Sequence, residues 1–122
     1  MSKDVQQIEA ELADCPFCDY AGPSKVLWDD GDVFIIEPIA PVTAGHVLVI
    51  PTAHVKDFVE HTFVASLCLQ VAGEWVRNHN MGDCNLITSR GPAATQTVGH
   101  LHIHIVPRRI GDGLSLPWAD GG

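Results

Sequence analysis

Residues His100-Leu101-His102-Ile103-His104-Ile105-Val106 alternate imidazole with aliphatic side chains. Successive side chains on a strand point to opposite faces, so the pattern predicts a strand with one face of rings and one face that must be buried. Such a strand requires a packing layer against Leu101, Ile103 and Ile105. The chain supplies one: after Thr62, a cap candidate, Val64, Leu67, Cys68, Val71, Trp75 and Val76 recur every three or four positions. That spacing predicts one long amphipathic helix lying across one face of a sheet.

The remaining strands follow from turn chemistry. Residues 25–28 and 33–37 flank Asp29-Asp30-Gly31-Asp32 and read as a hairpin. Pro38 and Pro41 break the next segment, and residues 46–50 resume as a largely buried strand ended by Pro51. Residues 83–88 and 98–106 predict two more strands, separated by the small and turn-forming residues 89–95. Val5, Ile8 and Leu12, with Asp4 and Gln7 spaced as a capping box, predict a short N-terminal helix. The expected fold class is α+β, about five strands with one main helix, in a single domain over residues 1–122. Within it, residues 1–14 form a helical extension, 15–106 the core and 107–122 a tail.

Fifteen acidic against seven basic residues give a formal charge of −8, which disfavours binding to long nucleic acid. A small phosphorylated ligand stays open, because local donors in a pocket hold it whatever the distant surface charge. No apolar run approaches the ~20 residues of a membrane helix, and residues 1–7 lack the basic and apolar regions of a secretory signal, so a cytoplasmic protein is expected. In a reducing compartment Cys15, Cys18, Cys68 and Cys84 point to burial or metal ligation and not to disulfides. Cys68 and Cys84 read as small buried hydrophobes. Cys15-Pro16-Phe17-Cys18 has the spacing of half a tetrahedral metal site. His61 and His79, on or beside the helix, read as solvated.

On a strand, same-face neighbours lie ~6.7 Å apart, so His100 and His104 are ~13 Å apart at their backbones and cannot easily share one metal with His102. Spread in this way, the rings suit an elongated ligand with a phosphate over the middle one. Imidazole is partly neutral near pH 7, attacks phosphorus and leaves again when water attacks the adduct, which makes His102 the candidate nucleophile. His104 and the preceding loop are candidate donors to the phosphate oxygens. The rival reading of the same residues is an open metal site on His102 and His104.

The run from His100 to Arg108, preceded by Gln96-Thr97-Val98, resembles the defining motif of the histidine-triad nucleotide hydrolases and transferases. Gly45-His46-Val47-Leu48-Val49-Ile50-Pro51, with His54 following, is similar to a second block of that family. The resemblance spans residues 15–118. It implies a five-stranded antiparallel sheet, commonly dimerised into a ten-stranded one, and a nucleotidyl intermediate formed on His102 at the α-phosphate of a small nucleotide conjugate. It implies phosphate or leaving-group contacts for His104, Gln96 and Thr97, and a place near the nucleophile for His46. Ser89 stands where many members carry a phosphate-contacting asparagine, and Pro38 where Asp or Asn touches the ribose. Asn85 is a candidate to compensate, as is Arg90.

In members carrying an N-terminal cysteine pair, the resemblance further implies a structural zinc held by Cys15, Cys18, His54 and His100. A similar tail in relatives carries a tryptophan near the site, here Trp118. The competing expectation is a nucleotide-binding regulatory module with little turnover.

Overall fold

In the computed structural model, the described residues are 15–18 and 24–118; the expected N-terminal helix lies outside them. Strand β1, Lys25–Asp29, turns into β2, Val33–Glu37. The hairpin closes on its own carboxylates. Asp29 Oδ1 accepts from the Gly31 amide at 2.8 Å, and Asp30 Oδ1 from those of Asp32 and Val33 at 2.9 and 2.8 Å. Gly31 takes a φ of +95°, open to glycine at little steric cost.

Strand β3, Val47–Pro51, precedes helix α1, Thr62–Asn78, and then come β4, Cys84–Ile87, a 3-10 turn at Pro92–Ala94, and β5, Ile103–Pro107. The sheet is antiparallel in the order β1-β2-β3-β5-β4. The predicted cap shifts by one residue: His61, not Thr62, stands at the helix start, its Nδ1 accepting from the Val64 amide at 3.2 Å.

Two apolar layers hold the sheet. On the helix side, Val33, Ile35, Val47, Val49, Leu101, Ile103 and Ile105 pack with Val55, Cys68 and Ala72. On the other side, Phe34, Ile36, Leu48 and Ile50 form a smaller cluster joined by Phe17. Strands β2 and β3 are therefore covered on both faces, which explains their uninterrupted aliphatic runs. Cys68 is fully buried, and its thiol is pushed up to about 12, chiefly by burial. Among the described residues, no helix is long and apolar enough to cross a membrane.

Candidate functional site

Strand β5 starts at Ile103, five residues later than the strand predicted over residues 98–106, so only His104 of the three histidines stands in the ladder. It lies between Leu48 on β3 and Ile87 on β4. The segment before it is fixed by other bonds: the Leu101 amide donates to Val55 O at 2.6 Å, and the Thr88 hydroxyl to His102 O at 2.8 Å. Leu101 thereby reaches the core without pairing in the sheet. His102 and His104 line one cavity, whereas His100 is fully buried and contributes nothing to its lining. Phe17 stands edge-on to both rings, its centroid 5.9 Å from that of His100 and 5.2 Å from that of His102.

Carbonyl oxygens only accept, which fixes where the protons sit. His100 Nε2–H donates to Pro51 O at 2.8 Å, and His102 Nδ1–H to His100 O at 2.8 Å. Neutral His102 therefore keeps an unprotonated Nε2. The Val42 amide donates to His46 Nδ1 at 3.1 Å, so neutral His46 carries its proton on Nε2 and donates it to His104 Nδ1 at 2.9 Å. His104 in turn holds its proton on Nε2. Burial lowers the pKa of His46. Burial, and then the neighbouring rings of His102 and His46, lower that of His104 to about 4. Both rings are neutral near pH 7.

The cavity has a volume of about 560 Å³. Its sheet floor includes Leu48, Asn85, Ile87, His104 and Val106. Ser89, Thr95 and Thr97 line it from the loop after β4, and Leu114, Ser115 and Leu116 from the tail. Thr95 takes a φ of +64°, an uncommon conformation for a residue with a branched side chain.

Of the residues singled out from sequence, His46, His102, His104, Asn85, Ser89 and Thr97 converge here. Gln96 does not. Its amide nitrogen donates to Lys56 O at 2.7 Å and Val98 O at 3.1 Å, while its oxygen accepts from the Gly91 amide at 2.9 Å. Arg90 lies 3.5 Å from buried Asp57 and stays largely exposed. Trp118 is exposed and outside the lining, and His79 stacks on Trp75 at 3.8 Å. Phe17, Val42 and Arg108 join the site without having been singled out for it. Of these, Arg108 had a legible signal, standing four residues after His104 on the same alternation.

Beside the cavity, Cys15, Cys18, His54 and His100 bring one ligand atom each within 4.8 Å of one another. A tetrahedral ion with bonds of about 2.3 Å to sulfur and about 2.05 Å to nitrogen has edges of roughly 3.6 Å (S–N) and 3.3 Å (N–N). The cluster shows Cys15 Sγ to His100 Nδ1 at 3.3 Å, Cys18 Sγ to His54 Nδ1 at 3.0 Å, Cys18 Sγ to His100 Nδ1 at 3.7 Å, and the two Nδ1 atoms at 3.2 Å. The bond from His100 Nε2 to Pro51 leaves Nδ1 unprotonated and facing the thiols. These residues are positioned to bind a metal ion.

A five-stranded antiparallel sheet carrying neutral histidines over a cleft, beside a Cys2His2 cluster, defines the class as a histidine-triad protein. The model of the HIT domain matches residues 21–111, and the chain belongs to the HIT family. It is 34% identical over 107 residues to an uncharacterized HIT-like protein of Methanocaldococcus jannaschii, covering 81% of this chain and 82% of that one. It is 33% identical over 114 residues to the adenylylsulfatase HINT3 of Arabidopsis thaliana, covering 87% of this chain and 56% of the relative. Among solved structures, a HIT-family protein from Bacillus subtilis aligns with a TM-score of 0.75 at 32% identity, covering 86% and 81% of the two chains.

Proposed function

We propose that the chain is a nucleotidyl hydrolase or transferase that cleaves an α-phosphate linkage of a small nucleotide conjugate through a covalent intermediate on His102. The observation that carries this reading is the 2.8 Å bond from His102 Nδ1–H to His100 O, which leaves Nε2 as a lone pair at the cavity. Attack forms a P–Nε2 bond and breaks the bond from phosphorus to the leaving atom, which takes up one proton. The charge gained by the ring is stabilised by the carbonyl of His100 at Nδ1. Water then attacks phosphorus, the P–Nε2 bond breaks, one proton is released, and the ring returns to its starting tautomer. Transfer replaces water with another acceptor.

His104 Nε2–H, with the hydroxyls of Ser89 and Thr97, donates to phosphoryl oxygens as their charge develops. His46 holds His104 in the donating tautomer, and Asn85 contacts the ligand farther along the floor. Gln96 reaches a ligand only by exchanging its bonds to Lys56 and Val98. The cluster of Cys15, Cys18, His54 and His100 holds a structural zinc: four protein ligands leave no position for water or substrate. The ion would tie the Cys15–Cys18 turn to the sheet and supply no step of the reaction. A cytoplasmic homodimer completes the reading. Strand β4 has one unpaired edge among the described residues, with Leu86 and Ile87 each 40% exposed.

The relatives named adenylylsulfatase and bis(5'-adenosyl)-triphosphatase frame the substrate panel. Adenosine phosphoramidate, adenylyl sulfate and dinucleoside tri- and tetraphosphates are to be incubated with the protein, quenched, and the chain analysed by mass. The expected result is a nucleotidyl adduct on His102 that disappears in His102→Gly, with turnover reduced at least ~1,000-fold in that variant. Nucleotide binding without adduct or product would instead mark a regulatory module.

A further inference from the structure

Among the described residues, Arg108 is the one Lys or Arg side chain lining the cavity, the usual sign of a phosphate ligand. Here its donors are already engaged. Nε and Nη2 bond the two oxygens of Asp112 at 2.8 and 3.1 Å, Nη2 also bonds Leu114 O at 2.7 Å, and Nη1 bonds Asn85 Oδ1 at 2.7 Å. Four of the five N–H groups of a guanidinium are thus occupied, and Asp112 neutralises its charge. Asp112 also accepts from the amides of Arg109 and Leu114 at 3.1 and 3.0 Å, which folds the tail back over the sheet.

A guanidinium only donates, so the Asn85 atom facing it has to be the oxygen. The amide nitrogen of Asn85 is left as the group without a hydrogen bond among the described residues. We propose that Arg108 is a positioning residue: it fixes Asn85 as a hydrogen-bond donor to an acceptor-only group of the ligand, while its bond to Leu114 sets the wall formed by Leu114 and Leu116. The ligand group taken at this end is uncharged and bears an oxygen or ring-nitrogen acceptor, because the polar side chains there, Asn85 and Ser115, are neutral, Leu114 and Leu116 are apolar, and the described lining residues offer no free cation.

The proposal rests on the nucleotide-site reading but not on covalent catalysis, and AMP binding followed by calorimetry separates the two. Asn85→Ala removes the donor together with the oxygen that Arg108 bonds, whereas Asn85→Asp keeps an oxygen for Arg108 and replaces the donor with a charged acceptor. Both are expected to weaken AMP binding roughly tenfold, with a matching rise in KM and kcat within about twofold on any substrate turned over. Arg108→Gln is expected to weaken AMP similarly and Arg108→Lys to restore little, since an ammonium cannot span Asp112, Asn85 and Leu114 in one plane.

Wild-type AMP affinity in folded Asn85→Ala overturns the proposal, as does weakening confined to Asn85→Asp, which would report charge repulsion. AMP binding by the wild type without adduct or turnover defeats the catalytic reading and leaves this one standing. Failure of the wild type to bind AMP defeats both.

Discussion

His46 and His104 are joined ring to ring by a single bond, His46 Nε2 to His104 Nδ1 at 2.9 Å, and the order of protons along it is set by the main-chain amide of Val42. His46→Ala removes the donor that holds His104 in its tautomer. The expected outcome is a kcat ~10- to 100-fold lower with KM little changed, as for loss of a group acting through the transition state. His46→Gln, whose amide can still donate to Nδ1, is expected to recover part of the rate. Steady-state kinetics on the best substrate of the panel decides it, and a loss confined to KM would contradict the assignment.

The lowered pKa of His104 gives stability a definite pH dependence. Its folded value is about 4 against an ordinary 6.5, so between these values the unfolded chain binds the proton more readily. The contribution of His104 is flat above pH 6.5 and falls as pH drops toward 4. His46 and His100, also lowered by burial, act in the same direction. Urea unfolding of wild type and His104→Gln across this range is expected to show the difference shrinking with acid by on the order of 2 kcal/mol. A difference that does not vary with pH would refute this origin.

Loss of the metal is expected to act through folding. Cys18→Ser leaves three ligands and should lower the melting temperature by roughly 10 °C or more, with metal content falling below stoichiometric. Metal analysis paired with thermal unfolding checks this. Full activity in a metal-free and still folded sample is compatible with a structural ion and incompatible with open-site chemistry on His102 and His104.

The unpaired edge of β4 makes the association state testable. Leu86→Lys places a charge on that edge and is expected to convert a dimer to a monomer in sedimentation velocity, with secondary structure retained. A monomeric wild type, or a variant that still dimerises, would remove β4 as the interface.

Much of this was legible because it depends on local rules. The hairpin came from Asp29 to Asp32, the helix from the spacing of Val64 to Val76, and the separation of Leu101 from His102 from simple alternation. What alternation could not supply is the end of the ladder. Leu101 and His102 are held by Val55 and Thr88, contacts across long sequence separations that leave no periodic trace. Gln96 shows the same limit. Its motif position suggests a ligand contact, yet its amide is bonded to backbone atoms of Gly91, Lys56 and Val98. Arg108 was visible in the alternation, but its neutralisation depends on a tail that folds back, which no local pattern encodes.

Phe17 belongs at once to the turn that carries Cys15 and Cys18, two residues of the candidate metal cluster, and to the wall of the cavity beside His102. A residue shared in this way would link ion binding to ligand binding. If the bound ion tightens nucleotide binding by holding Phe17 in place, nucleotide must tighten the ion by the same factor, since coupling free energies are reciprocal. The metal content of the purified protein then carries a record of what occupied its pocket.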